Sequence, residues 1–225
     1  MGTLLLRLAA PLQSWGAEAP FSIRQTESLP TKSGVIGLVA AALGRRRDDP
    51  VADLAALRFG VRVVRPGTLL CDYHTVSRAP SPRPSQNQTD YVTRRYYLSN
   101  AVFIAGLESA DAAFLDELER ALHTPAFPLF LGRRCCPPTL PLSLGISSDG
   151  LEEALLHAEC PETAGGSGGG AIRMLVDEAA ATPSTALLRD LPRSFSPNRR
   201  QYGHRPAREI FVGGTEHDPF GVLEE

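Results

Sequence analysis

The order of apolar segments constrains the fold of this 225-residue chain more than any other feature. A buried strand is predicted at residues 3–9, and residues 35–44 are apolar on nearly every side, which is typical of a buried helix. Thr31 or Ser33 can cap the start of this helix, and Gly44 can end it. Residues 57–63 then alternate apolar with other side chains, which predicts a half-buried strand with a basic outer face.

The same order recurs in the next part of the chain. Residues 96–107 predict a strand, and Ser109 is positioned to cap a helix whose inner face contains Leu118 and Leu122. The apolar residues 127–131 predict a short buried strand after it. Two β-α-β units in series predict an α+β fold of the ferredoxin-like type, with an antiparallel sheet and helices on one face.

The remaining segments divide the chain into two predicted domains. Residues 66–95 form an insertion between the two units, with a candidate strand at 69–76 followed by a polar, proline-rich stretch. We therefore predict one domain at 1–142 and a smaller β-rich extension at 143–225. In that extension, Gly165–Gly170 is typical of a flexible linker, and residues 171–176 and 209–212 are candidate strands.

The charge is distributed unevenly along the chain. Residues 1–100 contain 13 basic and 7 acidic side chains, whereas residues 101–225 contain 10 basic and 18 acidic ones. All 23 basic residues except Lys32 are arginines. Arginine favours bidentate recognition of phosphates and stacking on bases, although a high-GC codon usage gives the same bias.

Other classes of protein are disfavoured by what the sequence contains. The four cysteines form no Cys-x-x-Cys pair and have no accompanying histidine spacing, so we expect no zinc site and no cofactor. Arg7 interrupts the apolar N-terminal segment, and no apolar run approaches the length of a membrane span. We therefore expect a reduced, cytoplasmic protein that does not bind a membrane.

The most informative segment for function is Leu131-Gly132-Arg133-Arg134-Cys135-Cys136-Pro137-Pro138. Gly132 allows a sharp turn, and two arginines project from it before the prolines stiffen the exit. Guanidinium groups beside exposed backbone amides suit an oxyanion, in particular a phosphodiester. A second candidate phosphate site is the start of the first helix, where Lys32 and Ser33 lie beside free amides.

Aromatic residues and arginines recur together, which favours binding of single-stranded RNA over catalysis. The pairs place Trp15 near Arg24, Tyr73 near Arg78, Tyr96 and Tyr97 near Arg94 and Arg95, and Phe195 near Arg199. Asp72-Tyr73-His74 could instead supply an acid and a base for metal-free RNA cleavage, with assistance from Lys32, Tyr96, Tyr97 or His204. A small-molecule enzyme on the same scaffold is a third possibility, and it requires a compact pocket of titratable groups.

Short motifs occur in a fixed order over residues 4–142 and return weakly at 191–214. They are Leu8-Ala9-Ala10-Pro11-Leu12-Gln13-Ser14-Trp15-Gly16, Pro30-Thr31-Lys32-Ser33-Gly34 with Gly37-Leu38, Leu43-Gly44, Arg47-Asp48-Asp49, Asp72-Tyr73-His74-Thr75-Val76, Thr93-Arg94-Arg95-Tyr96-Tyr97-Leu98 and the Gly-Arg-Arg segment. This ordered set resembles the CasD family of subtype I-E Cascade subunits, in the RAMP superfamily of CRISPR-associated proteins. Cys135 stands where that family usually has serine.

The resemblance implies a non-catalytic subunit of a CRISPR surveillance complex. Such a subunit caps the 5′ handle of the CRISPR RNA, contacts the large and backbone subunits, and meets target DNA indirectly through the complex. The insertion would form a protruding thumb hairpin. Relatives in subtype I-C cleave precursor RNA without metal, which is the alternative function. The implied RNA contacts are Arg24, Lys32, Ser33, Tyr73, His74, Arg78, Arg94, Arg95, Gly132, Arg133 and Arg134.

Overall fold

Two β-sheets and four helices form the part of the chain that the computed structural model describes, residues 1–16, 22–76, 91–162 and 171–213. The strands are β1 (Gly2–Ala9), β2 (Leu12–Gln13), β3 (Ile23–Arg24), β4 (Arg58–Arg65), β5 (Thr68–Val76), β6 (Tyr91–Ser99), β7 (Val102–Ser109), β8 (Ser143–Ser147), β9 (Ile172–Asp177), β10 (Ala186–Ser194) and β11 (Gln201–Val212). The helices are α1 (Lys32–Ala42), α2 (Ala52–Ala55), α3 (Ala112–His123) and α4 (Leu151–His157).

The larger sheet has seven strands in the order β10-β11-β9-β4-β7-β1-β8. All of its pairings are antiparallel, and β1 lies between β7 and β8. The C-terminal strands β9, β10 and β11 extend this sheet, because β9 pairs with β4. The predicted α+β class with an antiparallel sheet is therefore confirmed, while the predicted domain boundary at residue 142 stays a prediction.

Helices cover both faces of the larger sheet. On one face, α1 and α3 pack against alternate residues of β1, such as Leu4 and Leu6. On the other face, α4 packs its Leu155 side chain against Leu5 and Ile104. The prediction that the helices lie on one face therefore holds for α1 and α3, whereas α4 lies on the other face.

The basic outer face that we predicted for the strand at 57–63 is wrong. Arg62 of β4 is only 6% exposed, because α4 lies over it. Its Nη1 donates to the carbonyl oxygens of Leu155, Leu156 and Ala158 at 2.9–3.1 Å. Arg62 therefore satisfies carbonyls at the end of α4, where the helix dipole also favours a cation.

The smaller sheet is built around β6. It pairs antiparallel with β5 along its whole length, antiparallel with β2, and parallel with the short strand β3. The strand predicted at 96–107 is in fact two strands, because Asn100 adopts a φ of +55° and turns the chain from β6 into β7. Asparagine tolerates this left-handed conformation better than most residues.

Two further local predictions change in the structure. Residues 127–131 form no strand, although Leu131 is fully buried. The cap of α3 is Asp111 rather than Ser109, since its carboxylate accepts a hydrogen bond from the Phe114 amide at 3.1 Å. Thr31 caps α1 as predicted. Within the described ranges, no helix has the length and apolar character needed to cross a membrane.

Candidate nucleic-acid interface

The Gly-Arg-Arg turn docks on the segment that follows β2. The Ser14 amide donates to the Leu131 carbonyl oxygen at 3.1 Å, and the Leu131 amide donates to the Cys136 carbonyl oxygen at 2.7 Å. Gly132 has a φ of +85°, and a Cβ atom at this position would lie 1.6 Å from the Ser14 carbonyl oxygen. Only glycine fits here, so its role is to allow the close approach of two backbones.

Arg133 fixes the turn to the smaller sheet. Its Nη1 donates to the Tyr96 carbonyl oxygen at 3.1 Å, and its Nη2 donates to the carbonyl oxygens of Arg24 and Gln25 at 2.9 and 3.2 Å. The guanidinium also lies over the Tyr97 ring. Three carbonyl acceptors and an aromatic face occupy this side chain, so Arg133 positions the site and is not a free phosphate ligand.

The register of the smaller sheet groups several predicted residues on one face. Arg24 of β3 is the partner of Arg95 in β6, and Arg95 is also the partner of Asp72 in β5. Paired residues point to the same face, and alternate residues along a strand share it. His74 therefore lies on this face, as does Tyr97, which Arg133 covers. We call this side of the sheet the arginine face.

The other two residues of β5 and β6 that we predicted as RNA contacts lie on the opposite face. Tyr73 of β5 is the partner of Arg94 in β6, and both are exposed. The adjacent residues Tyr73 and His74 therefore point away from each other. Arg78 lies outside the described residues.

Arg95 lacks an internal partner for part of its guanidinium. The side chain is half-buried, and its Nε is a buried polar atom without a hydrogen-bond partner in the described structure. Buried donors are nearly always paired in folded proteins, so the contacts within the described structure do not account for the position of this guanidinium. Arg24, directly across the strand pairing, is exposed.

Arg134 is the exposed arginine of the turn, and no hydrogen bond or ion pair within the described ranges occupies it. The next residue, Cys135, is also exposed, and its Sγ lies 3.5 Å from the Tyr97 hydroxyl oxygen. Burial raises the pKa of the Cys136 thiol to about 12, and burial also raises the pKa of Tyr97. Both groups remain neutral at physiological pH, so neither of them offsets the positive charge of the turn.

Lys32 does not belong to this surface. The residue is 4% exposed, and its Nζ donates to the Leu57 carbonyl oxygen and to Asp177 at 2.7 and 2.8 Å. The amide of Lys32 donates to the carboxylate of Asp190 at 2.7 Å. The Asp190 carboxylate thus already occupies the start of α1. The phosphate site that we predicted there is therefore not available. Ser33 is half-buried beside Thr31.

Trp15 is a core residue and cannot stack on a base. It is fully buried, its Nε1 donates to the Gln13 side chain at 3.2 Å, and its ring lies against Gly34 of α1. Gln13 in turn donates to the carbonyl oxygens of Leu8 and Ala101. The motif at residues 12–15 therefore connects the turn, α1 and the strands, a role that the sequence does not reveal.

The candidate acid and base residues are divided between the two faces of β5. Tyr73 lies on one face, and Asp72 and His74 lie on the other, the arginine face. Within the described ranges, no group of three or more His, Cys, Asp or Glu side chains is arranged to hold a metal ion. The arginine face thus combines the cations of Arg24 and Arg95 with the carboxylate of Asp72 and the imidazole of His74.

Comparisons with known proteins identify the family of this chain. Residues 3–208 match the model of the family described as CRISPR-associated protein (Cas_Cas5). The chain is 38% identical over 172 residues to CRISPR system Cascade subunit CasD of Escherichia coli (strain K12). The aligned region covers 69% of this chain and 76% of that protein.

Two solved structures have the same fold. One chain of a CRISPR RNA-guided surveillance complex superposes with a TM-score of 0.75 at 32% identity, covering 94% of this chain and 90% of its own. A chain described as a Cas protein superposes with a TM-score of 0.69 at 37% identity, covering 94% and 95%. The family match spans both sheets and the Gly-Arg-Arg turn, and this chain therefore belongs to the Cas5 family of CRISPR-associated proteins.

Proposed function

We propose that this protein is the Cascade subunit that holds the 5′ handle of the CRISPR RNA within a CRISPR RNA-guided surveillance complex. Its relatives include a Cascade subunit of Escherichia coli and a chain of such a complex. Its partners are the CRISPR RNA and other Cascade subunits, among them the large and backbone subunits. Target DNA reaches it only through the assembled complex.

The observation that carries the proposal is the arginine face together with Arg134. Arg24 and Arg95 are paired across β3 and β6, and Arg133 attaches the turn that presents Arg134 to the same strands. A single strand of RNA has phosphates at regular intervals, and rigidly held guanidiniums recognise them without reading sequence. Arg95 is half-buried and no hydrogen bond within the described residues occupies its guanidinium, so its terminal nitrogens are the donors for a phosphate oxygen.

This arrangement lets the protein bind the RNA backbone without reading the sequence of the target. In RNA-guided complexes the pairing of guide and target supplies the sequence recognition, and the protein recognises backbone and shape. A clamp on the handle holds one end of the guide. His74 and Asp72, on the arginine face, are placed to contact bases or sugars of the handle.

The protein acts without cleaving RNA. Metal-free cleavage requires a base at the 2′-hydroxyl and an acid at the leaving oxygen, both within reach of one phosphodiester. Tyr73 points away from His74, so these two side chains do not meet at one phosphodiester, whereas Asp72 and His74 share the arginine face and are the candidate pair for the alternative function. The alternative function is that of a metal-independent endoribonuclease, and an assay for cleavage of repeat RNA distinguishes it from RNA binding alone.

The fold supports the ferredoxin-like unit as well. Strands β1, β4, β7 and β8 stand in the order β4-β7-β1-β8, with α1 following β1 and α3 following β7 in the chain. This is the order of a double split β-α-β unit. The hairpin of β5 and β6, which leaves the larger sheet, is the element that we assign to the thumb.

The test compares two neighbouring arginines. Arg95→Ala removes a cation from the arginine face, whereas Arg94→Ala removes one from the opposite face of the same strand. We expect Arg95→Ala to weaken binding of CRISPR repeat RNA by about ten-fold or more, as for loss of a hydrogen bond to a charged group. Arg94→Ala should change it by much less. Equal effects of the two substitutions would contradict the assignment of the arginine face.

The same RNA distinguishes binding from cleavage. End-labelled repeat RNA is incubated with the protein in EDTA and resolved on native and denaturing gels. A shifted band with intact RNA supports the handle-binding subunit. A product that ends in a 2′,3′-cyclic phosphate would make the protein a processing endoribonuclease, and His74→Ala and Asp72→Asn would then test the candidate acid and base on the arginine face.

A further inference from the structure

A second basic surface lies beside the turn, in a groove between α1 and the chain that joins β10 to β11. The groove has a volume of about 260 Å³ and is open at one side. Phe130 and Gly132 line the groove, so it adjoins the Gly-Arg-Arg turn. Phe195, Arg200 and Tyr202 line it as well. None of these wall residues is part of the arginine face.

Small residues of α1 form the floor of the groove. Ser33, Gly37 and Ala41 recur at every fourth position and lie on the half-exposed side of the helix. A Cβ atom at Gly37 would lie 3.7 Å from the Phe195 ring, which is ordinary van der Waals contact. An alanine therefore fits at this position, whereas a larger side chain would occupy the groove.

The charge of the groove is positive. Arg46, Arg47 and Arg200 line it, and no hydrogen bond or ion pair within the described residues occupies their side chains. Arg45, at the same end of α1, is held by Asp53 in an ion pair. No aspartate or glutamate side chain is among the described residues that line the groove. The groove therefore favours an anionic occupant.

The other walls are aromatic. Phe130, Phe195 and Tyr202 are each half-buried, and Phe195 packs its inner side against the core around α1. Half-buried rings that border an open groove provide stacking platforms for nucleobases. The combination of these rings with guanidiniums that are unpaired within the described residues is that of a single-stranded nucleic-acid site rather than of a site for a bare anion.

We infer that this groove is a second RNA subsite, which holds one nucleotide of the strand that leaves the Gly-Arg-Arg turn. The base lies against Phe195 and Tyr202 over the small residues of α1, and Arg46, Arg47 and Arg200 contact the adjoining phosphates. This subsite rests on the proposed function, because Gly132 connects the groove to the turn that contacts the RNA.

Two pairs of variants of the full chain test the groove with CRISPR repeat RNA as the probe. Gly37→Leu fills the groove without a change in charge, and leucine is a better helix former than glycine, so the fold is retained. Gly37→Ala is its control. We expect Gly37→Leu to weaken RNA binding by about five-fold or more, the loss of one stacked base, with Gly37→Ala unchanged.

Arg200→Ala is compared with Arg199→Ala, its neighbour, which does not line the groove. For Arg200→Ala we expect the slope of log K against log salt to become shallower by about 0.7, one phosphate contact on a single strand. Arg199→Ala should leave the slope unchanged. Photo-crosslinking of RNA that contains 4-thiouridine should modify the peptide with residues 195–202.

The outcomes separate the two proposals. A wild-type chain that binds no repeat RNA overturns the handle-binding function and this subsite with it. A wild-type chain that binds, together with Gly37→Leu and Arg200→Ala variants that bind equally and with the same salt dependence, overturns the subsite alone. Crosslinks of the groove to another protein subunit in the assembled complex, with none to RNA, would do the same.

Discussion

The guanidinium of Arg133 lies 4.7 Å from the centroid of the Tyr97 ring and links the Gly-Arg-Arg turn to the strand that carries Arg95. Through its two terminal nitrogens, the same side chain also reaches carbonyl oxygens of β3 and β6. The turn and the smaller sheet are therefore one unit. Two adjacent arginines consequently have different roles, since Arg133 builds the site and Arg134 faces solvent.

Substitution of these two arginines should separate stability from binding. We expect Arg133→Ala to lower the free energy of unfolding by about 1–3 kcal/mol, because carbonyl acceptors and an aromatic face lose their partner. Arg134→Ala should leave the free energy of unfolding within about 0.5 kcal/mol, as for exposed sites. Both should weaken RNA binding. Urea denaturation and RNA titration check this, and a stability loss in Arg134→Ala would contradict the division of roles.

Gly132→Ala should disrupt the turn through a steric clash. The added Cβ would overlap the Ser14 carbonyl oxygen, and the left-handed conformation adds strain. We expect a loss of more than about 2 kcal/mol in the free energy of unfolding, together with loss of RNA binding. Gly145→Ala is the control, because Gly145 is also left-handed, with a φ of +94°, but its nearest neighbour would be the Glu119 carboxylate at 3.8 Å. It should lose only about 1 kcal/mol.

Lys32 belongs to a buried ionic network and should affect stability rather than RNA recognition. Its ammonium and the Arg205 guanidinium both pair with Asp177, and Arg205 also pairs with Asp190. Lys32→Met leaves Asp177 with one cation fewer in the interior, so we expect a loss of about 3 kcal/mol, as for other broken buried pairs. The folded fraction should bind RNA like the wild type. Weaker binding at equal folded fraction would restore Lys32 as an RNA contact.

Glu162 should make stability depend on pH in the acidic range. The hydrogen bond from Arg7 lowers the pKa of Glu162 to about 2, below its ordinary value of 4.5. Because the pKa in the folded state is the lower one, this stabilisation is complete above about pH 4.5 and is lost as the pH falls towards 2. Thermal unfolding between pH 6 and 2.5 measures it. Glu162→Gln should lower the melting temperature at pH 6 and flatten its fall with pH.

The sequence correctly predicted those elements that are specified by residues close together in the chain. Thr31 caps α1 by a bond within one turn, and the candidate strands at 69–76, 171–176 and 209–212 coincide with parts of β5, β9 and β11. Hydrophobic periodicity gave a wrong prediction where the element that covers a strand face lies far away in the sequence. The alternation around Arg62 resembles a solvated face, but α4, more than 90 residues later, covers it.

The site shows the same division. The sequence by itself determined that glycine and arginines stand together at residues 132–134 and that aromatic residues and arginines recur, because these are properties of neighbouring residues. Only the tertiary structure decided that Arg133 is occupied by backbone carbonyls, that Lys32 is buried, and that Arg24 and Arg95 share a face while Arg94 does not. The reason is physical: the availability of a charge depends on its hydrogen-bond partners and burial, and these come from segments that meet only when the chain has folded.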